Sequence, residues 1–234
     1  MPTLILVRHG RSTANAAALL AGWTPGVTLD EHGTAQAAGL PERLDGVPLA
    51  AVVSSPLERC RQTAAPLLAA RPGLVEHVDD RLGEAHYGDW TGRKLAELND
   101  EPLMAAVQQH PSSVAFPGGE SMRAMATRAA EAVREWNARI VEEHGADATY
   151  LVCSHGDIIK ALVADALGLH LDLFQRVSVE PCSVTVIRYT PLRPFLVRLG
   201  DTGDFASLKP RDHPHPPAAG TDSTAEVGGG AGAP

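Results

Sequence analysis

Two short apolar runs in this sequence each end in a histidine followed by a glycine. Leu4-Ile5-Leu6-Val7 leads into Arg8-His9-Gly10, and Tyr150-Leu151-Val152-Cys153 leads into Ser154-His155-Gly156. A neutral imidazole attacks phosphorus through one ring nitrogen when a hydrogen bond on the other fixes its tautomer. Guanidinium groups neutralise the phosphoryl oxygens, and a carboxylic acid protonates the leaving oxygen. The chain supplies every part needed for phosphoryl transfer through a covalent intermediate. His9 is the candidate nucleophile, and Arg8, Arg59 and His155 form a candidate cationic cradle with Asn15 as a neutral donor. Glu84 is the candidate acid, with His86 and Asp89 as its nearest substitutes.

For these groups to meet, the segments that carry them must lie side by side. Apolar runs at 4–7, 49–53, 74–78, 150–153, 184–189 and 195–199 alternate with helical stretches, which predicts a layered α/β fold. Ligands of open α/β sheets bind at the carboxyl ends of strands, where both histidines fall. Gly10 and Gly156 allow the backbone to turn there and approach a ligand. The run at 49–53 leads through Ser54-Ser55-Pro56 into a helix, with Pro56 placed in its first turn and Arg59 about one turn in. Met122, Met125, Ala129, Val133, Trp136 and Ile140 recur at three- and four-residue steps and predict a helix over 120–143, closed by Gly145. Asp157 is placed to cap a helix beginning at Ile158.

At 234 residues with 44% hydrophobic composition, the chain has enough apolar material for a sizeable core. One domain is expected over 1–208. Residues 209–234 are rich in Pro, Gly and Ala with a single Val, so they are expected to be a disordered tail in which His213 and His215 are exposed spacers. A net charge of −8 gives no general attraction to nucleic acid or to an anionic membrane, and no apolar run reaches the ~18 residues of a membrane span. Cys60, Cys153 and Cys182 are odd in number and form no C-x-x-C pair, so reduced thiols and a cytoplasmic location are expected, without a thiolate metal site.

The motifs in order resemble a known family. Arg8-His9-Gly10-Arg11-Ser12-x-x-Asn15 is similar to the R-H-G-x-[ST]-x-x-N signature of the histidine phosphatase superfamily, also called phosphoglycerate-mutase-like. Four further stretches match that family's pattern in the same order: 28–37, Ser54-Ser55-Pro56-Leu57-x-Arg59-Cys60-x-Gln62-Thr63-Ala64, Leu82-x-Glu84-x-x-Tyr87-Gly88-x-Trp90-x-Gly92, and Pro117-Gly118-Gly119-Glu120-Ser121. Ser154-His155-Gly156 completes the set. The resemblance implies a three-layer α/β/α fold with a mostly parallel central sheet. It implies that His9 becomes phosphohistidine and that Arg8, Asn15, Arg59 and His155 hold the phosphoryl group. Ser12 and Gly156 would stand beside it, and Glu84 would protonate the leaving alcohol and then activate water. It implies no metal and no cofactor, and a phosphorylated small molecule as partner.

Within the superfamily the choice lies between hydrolase and mutase. Cofactor-dependent mutases carry a Trp-Arg-Arg stretch between the acid and the second histidine. Residues 91–117 here have only Arg93 and Lys94 as basic side chains besides His110, which favours a phosphatase. A phosphomutase, and a relative that binds a phosphorylated ligand without turning it over, stay open. Two other hydrolase patterns are weaker. Cys182 and Arg188 have C-x5-R spacing, but a β-branched run separates them. Ser154 lacks a G-x-S-x-G elbow. Residues 24–28 and 91–120 are expected to set selectivity, and an edge strand at 195–199 leaves monomer and homodimer both open.

Overall fold

A computed structural model of the protein describes residues 1–203. The expected tail at 209–234, with His213 and His215, lies outside the described residues, as does the expected domain end at 208.

Six strands form one sheet: β1 (Thr3–Arg8), β2 (Leu49–Ser54), β3 (Glu76–Val78), β4 (Thr149–Ser154), β5 (Val184–Tyr189) and β6 (Pro194–Asp201). Their order is β3-β2-β4-β1-β5-β6. The first four run parallel, and β5 and β6 are antiparallel additions. β3 begins at Glu76 rather than at Leu74, because the Leu74 N–H closes a turn onto the Arg71 carbonyl.

The helices are α1 (Thr13–Ala16), α2 (Glu31–Ala38), α3 (Leu40–Arg43), α4 (Glu58–Ala70), α5 (Leu95–Leu98), α6 (Pro102–Gln109), α7 (Met122–His144) and α8 (Gly156–Leu167). Central strands buried on both faces read as continuous apolar runs, and period-2 alternation sends successive side chains to opposite cores. Leu4 and Leu6 of β1 join Val152 and the apolar stripe of α7 with Ile158, Ile159 and Leu162 of α8. Ile5 and Val7 face the other way, into a core with Leu40 of α3 and with Cys60, Ala64 and Leu67 of α4. The sheet is thus sandwiched between two helical layers.

Helix starts differ from the sequence expectations in ways that matter for the site. Helix α4 begins at Glu58 with Leu57 as its N-cap, so Pro56 lies ahead of the helix and Arg59 belongs to the first turn. Helix α8 begins at Gly156 with His155 itself at the cap position, so Asp157 sits inside the first turn instead of capping it. Helix α7 is capped by Ser121, whose Oγ accepts from the Ala124 N–H at 3.1 Å. That leaves Glu120 outside the helix and available to the loop below.

Parallel pairing of β1 with β4 sets Val7 opposite Cys153 and Arg8 opposite Ser154. The His9 N–H then continues the ladder onto the Ser154 carbonyl at 2.9 Å. The two histidines therefore leave the sheet as neighbours. Just beyond His9 the chain crosses the start of α2 without clearance: a Cβ on Gly10 would lie 2.6 Å from the Gly33 carbonyl oxygen. Only glycine permits that approach.

Candidate active site

Five of the residues singled out in the sequence converge at the carboxyl end of the sheet. Arg8 and His9 come from the end of β1, His155 from the end of β4, Arg59 from the first turn of α4, and Glu84 from the loop after β3. Each is at most 3% exposed. So many ionisable groups out of water require partners, and the partners define the chemistry.

The Arg59 guanidinium connects the two rings. Its Nε lies 3.3 Å from His9 Nε2 and its Nη2 lies 3.2 Å from His155 Nδ1, while Nη2 also donates to the Gly22 carbonyl at 2.9 Å. Arginine only donates, so both histidine nitrogens accept. On His9 the other nitrogen, Nδ1, is 2.8 Å from the Gly10 carbonyl oxygen, which only accepts. Nδ1 therefore carries the proton and Nε2 keeps its lone pair. On His155 the proton sits on Nε2, which donates to Ser55 Oγ at 2.7 Å. Burial, then the Arg59 and Arg8 charges, hold the His9 pKa well below its ordinary value. Burial, then Arg59, His9 and Arg8, do the same to His155. Both rings are neutral at neutral pH. The fixed positive charge of the site comes from the two arginines, and His155 contributes a neutral ring that an incoming dianion would favour in its protonated form.

Glu84 shows the opposite perturbation. Burial and the neighbouring Asp157 push its carboxyl up to about 7, against the Ala85 N–H, Arg59 and Arg8, which favour the ionised form. The Ala85 N–H reaches Oε1 at 2.9 Å. His86 and Asp89, the two substitutes, are both exposed, and His86 stacks on Trp23 with ring centroids 4.5 Å apart. Of the three candidates Glu84 alone lies among the histidines and arginines.

Ser12, the N-cap of α1, and Asn15, in its first turn, follow closely on His9 and bind one another. Ser12 N and Oγ lie 3.0 and 2.8 Å from Asn15 Oδ1, and the Asn15 N–H returns to Ser12 Oγ, forming the capping box of α1. Gly156, buried, opens the twelve-residue helix α8, so the positive end of its dipole adjoins His155.

Several supports escaped the sequence reading. Ser55 fixes the tautomer of His155, and its place in the Ser-Ser-Pro strand end was the available signal. Arg128 of α7 donates to the carbonyls of Arg81, Gly83 and Glu84 at 2.6, 2.8 and 3.0 Å and forms an ion pair with Glu120 at 2.6 Å. It clamps the loop that carries Glu84, but bonds to backbone carbonyls leave no trace in a sequence. The Glu120 carboxylate also accepts the His86 N–H at 2.9 Å, and Trp23 Nε1 holds the Glu84 carbonyl at 2.5 Å. Asp157 and Lys160 of α8 are both buried, and the Asp157 charge acts on Glu84.

The weaker patterns come apart in three dimensions. Ser154 Oγ donates to the Leu82 carbonyl at 2.7 Å instead of engaging His155. Arg188 lies within β5 with its side chain exposed, so no loop joins it to Cys182 around an anion. Among the described residues no group of three or more His, Cys, Asp or Glu side chains is placed to hold a metal ion, and no helix is long and apolar enough to cross a membrane.

Residues 4–202 match the family model of the histidine phosphatase superfamily, branch 1. The chain belongs to that superfamily. It is 33% identical over 186 residues to a 2,3-bisphosphoglycerate-dependent phosphoglycerate mutase 2 of Gloeobacter violaceus, covering 78% of this chain and 83% of that one. It is 35% identical over 170 residues to a glucosyl-3-phosphoglycerate phosphatase of Mycobacterium tuberculosis, covering 71% and 75%. The solved structure of Bacillus stearothermophilus YhfR superimposes with a TM-score of 0.77 at 31% identity, over 86% of this chain and 98% of that one. This histidine phosphatase homologue thus shares its fold with phosphatases and mutases of one superfamily, and its family's chemistry proceeds through a phosphohistidine.

Proposed function

We propose that this protein is a phosphatase that hydrolyses a small phosphomonoester, with phosphohistidine formed on His9 and Glu84 as general acid and base. The observation that carries the reading is the pairing of opposite perturbations in one buried site: a ring nitrogen freed for attack by the Gly10 bond on the other nitrogen and kept unprotonated by burial and the arginines, beside a carboxyl pushed up to about 7. Such divergence is the pattern of an acid and a nucleophile working together at one pH. His9 Nε2 attacks phosphorus, a P–N bond forms as the ester P–O bond breaks, and Glu84 gives its proton to the departing alkoxide. The Glu84 carboxylate then takes a proton from a water whose oxygen displaces the imidazole. Inorganic phosphate leaves, and both groups return to their starting forms. Arg8 and Arg59 neutralise the phosphoryl oxygens, the Asn15 amide and the Gly156 N–H donate to them with Ser12 beside, and His155 gains an Nδ1–H donor once the bound dianion favours its protonated form.

Hydrolysis is preferred to mutase chemistry because a phosphoglycerate mutase must also grip a carboxylate. In the segment expected to do so, Arg93 is tied to Glu101 at 2.6 Å and Lys94 is exposed at the start of α5. Phosphoglycerate derivatives, named for two of the relatives, are the first substrates to test. The same reading takes the domain to end at about residue 208, needs no metal, and places the enzyme in the cytoplasm, in keeping with three unpaired cysteines. A screen of phosphorylated metabolites tests it: release of inorganic phosphate that persists in chelator and vanishes in His9→Ala is expected. Transfer of phosphate between the carbons of a phosphoglycerate, faster than release to water, would instead make the protein a mutase.

A further inference from the structure

Behind Glu84 lies a buried polar chain that the reaction as written does not use. Asp157, 1% exposed in the first turn of α8, accepts the Tyr87 hydroxyl on Oδ2 at 2.8 Å. Tyr87, also 1% exposed, lies on the same loop as Glu84, three residues on. On its other side Asp157 Oδ1 is 3.9 Å from the ammonium of Lys160, one turn along the same helix. Lys160 is 4% exposed, donates to Gln175 at 2.9 Å and faces the Phe174 ring at 5.8 Å. A buried carboxylate, tyrosine and ammonium in sequence are costly to assemble and specify one arrangement when satisfied. Here the arrangement joins the helix that starts at His155 to the loop that carries the acid.

We propose that Asp157 is a positioning residue for Glu84: through Tyr87 it fixes the acid's loop, and as a buried carboxylate balanced by Lys160 it adds to the effect of burial in raising the upper pH limit of turnover. The inference rests on Glu84 serving as the acid. The charged and titratable groups around Glu84 act in two directions. Arg8 from β1 and Arg59 from α4 favour its ionised form, as does the Ala85 N–H, whereas Asp157 from α8 opposes ionisation. Arg128 from α7 is committed to the loop's carbonyls and to Glu120, Tyr87 stays protonated by burial and by Asp157, and the rings of His9 and His155 are neutral. Asp157 is therefore the acidic neighbour that offsets two arginines. Without it their fields would leave Glu84 ionised, and unable to donate, at a lower pH.

The test compares pH profiles of kcat for two substrates, an alkyl phosphate, whose alkoxide must be protonated, and p-nitrophenyl phosphate, whose leaving group departs without a proton. In Asp157→Asn, which keeps the shape and an acceptor for Tyr87, the alkaline limb for the alkyl phosphate is expected to move down by about one pH unit, with little change at the nitrophenyl ester. Lys160→Gln, which removes the balancing cation, is expected to move the same limb upward. A merely structural role would lower activity in both variants without moving the limbs in opposite directions, and unmoved limbs in both would overturn the proposal. Should Asp157→Asn fail to fold, the direction of the Lys160→Gln shift decides alone. Failure of the underlying reading is distinguishable. If Glu84→Gln in the otherwise native protein leaves alkyl phosphate turnover intact, the acid has been misassigned and Asp157 has nothing to position.

Discussion

The rings of His9 and His155 stand edge to face, their centroids 5.2 Å apart and their planes at 60°, with Arg59 donating to both. In the proposed reaction this guanidinium would neutralise a phosphoryl group arriving at His9 Nε2. Burial, and after it this cation, hold both imidazoles neutral beforehand. On the proposed reading, nucleophile and cradle are therefore not independent parts.

Replacing His9 by Ala or Asn should remove turnover by on the order of 10⁴-fold or more, because the remaining groups stabilise charge without supplying a bond to phosphorus. Rapid acid-free quenching with labelled substrate should find the label on His9 in the native protein. Steady turnover without labelled His9 would overturn the assignment.

Activity should be bounded on the alkaline side by Glu84. In the proposed reaction it acts when protonated, so with a carboxyl pushed up to about 7, kcat/KM for alkyl phosphates should fall tenfold per unit above that pH. His9 acts when neutral, and its lowered pKa places the acidic limb well below 6.5. A bound phosphoryl dianion disfavours ionised Glu84 further, so the alkaline limb of kcat should lie above that of kcat/KM. Glu84→Gln should cost about 10²–10⁴-fold with alkyl phosphates and far less with p-nitrophenyl phosphate; an unchanged alkaline limb in that variant would point to another acid.

Ser55→Ala removes the acceptor that keeps the His155 proton on Nε2. A lost buried hydrogen bond of about 1–2 kcal/mol corresponds to a five- to thirtyfold fall in kcat/KM. Thermal unfolding checks that the fold survives, and Ser55→Thr, which restores a hydroxyl, should recover part of the activity.

Arg128→Met leaves three carbonyls and the Glu120 carboxylate without their shared donor. Since Arg128 is partly exposed, a loss of about 2–3 kcal/mol in denaturant unfolding is expected. A larger fall in kcat with alkyl phosphates than with p-nitrophenyl phosphate should accompany it, because the clamped loop carries the acid.

Gly10→Ala would press a Cβ to 2.6 Å from the Gly33 carbonyl oxygen, which is backbone and cannot swing aside. Destabilisation of about 1–3 kcal/mol is expected, together with a loss of activity from the displaced His9. An unfolding midpoint equal to that of the native chain would show that the crossing has room to spare.

The primary structure by itself determined which groups are present and which strand ends carry them. Continuous apolar runs at 4–7 and 150–153 gave buried parallel strands, because a strand covered on both faces has no polar side to show. The order of the motifs then gave the family and His9, Arg59, Glu84 and His155 together. Local signals failed at helix starts: neither Pro56 nor Asp157 occupies the position its residue type favours, because Leu57 takes the cap of α4 and His155 at the tip of β4 takes that of α8. Tertiary structure alone decided which nitrogen of each imidazole bears a proton, that His155 is neutral, and that Glu84 is the buried carboxyl while Asp89 is exposed. Those properties depend on distances between segments far apart in the chain and on the exclusion of water from them, and neither quantity is written in the spacing of residues along a strand or helix.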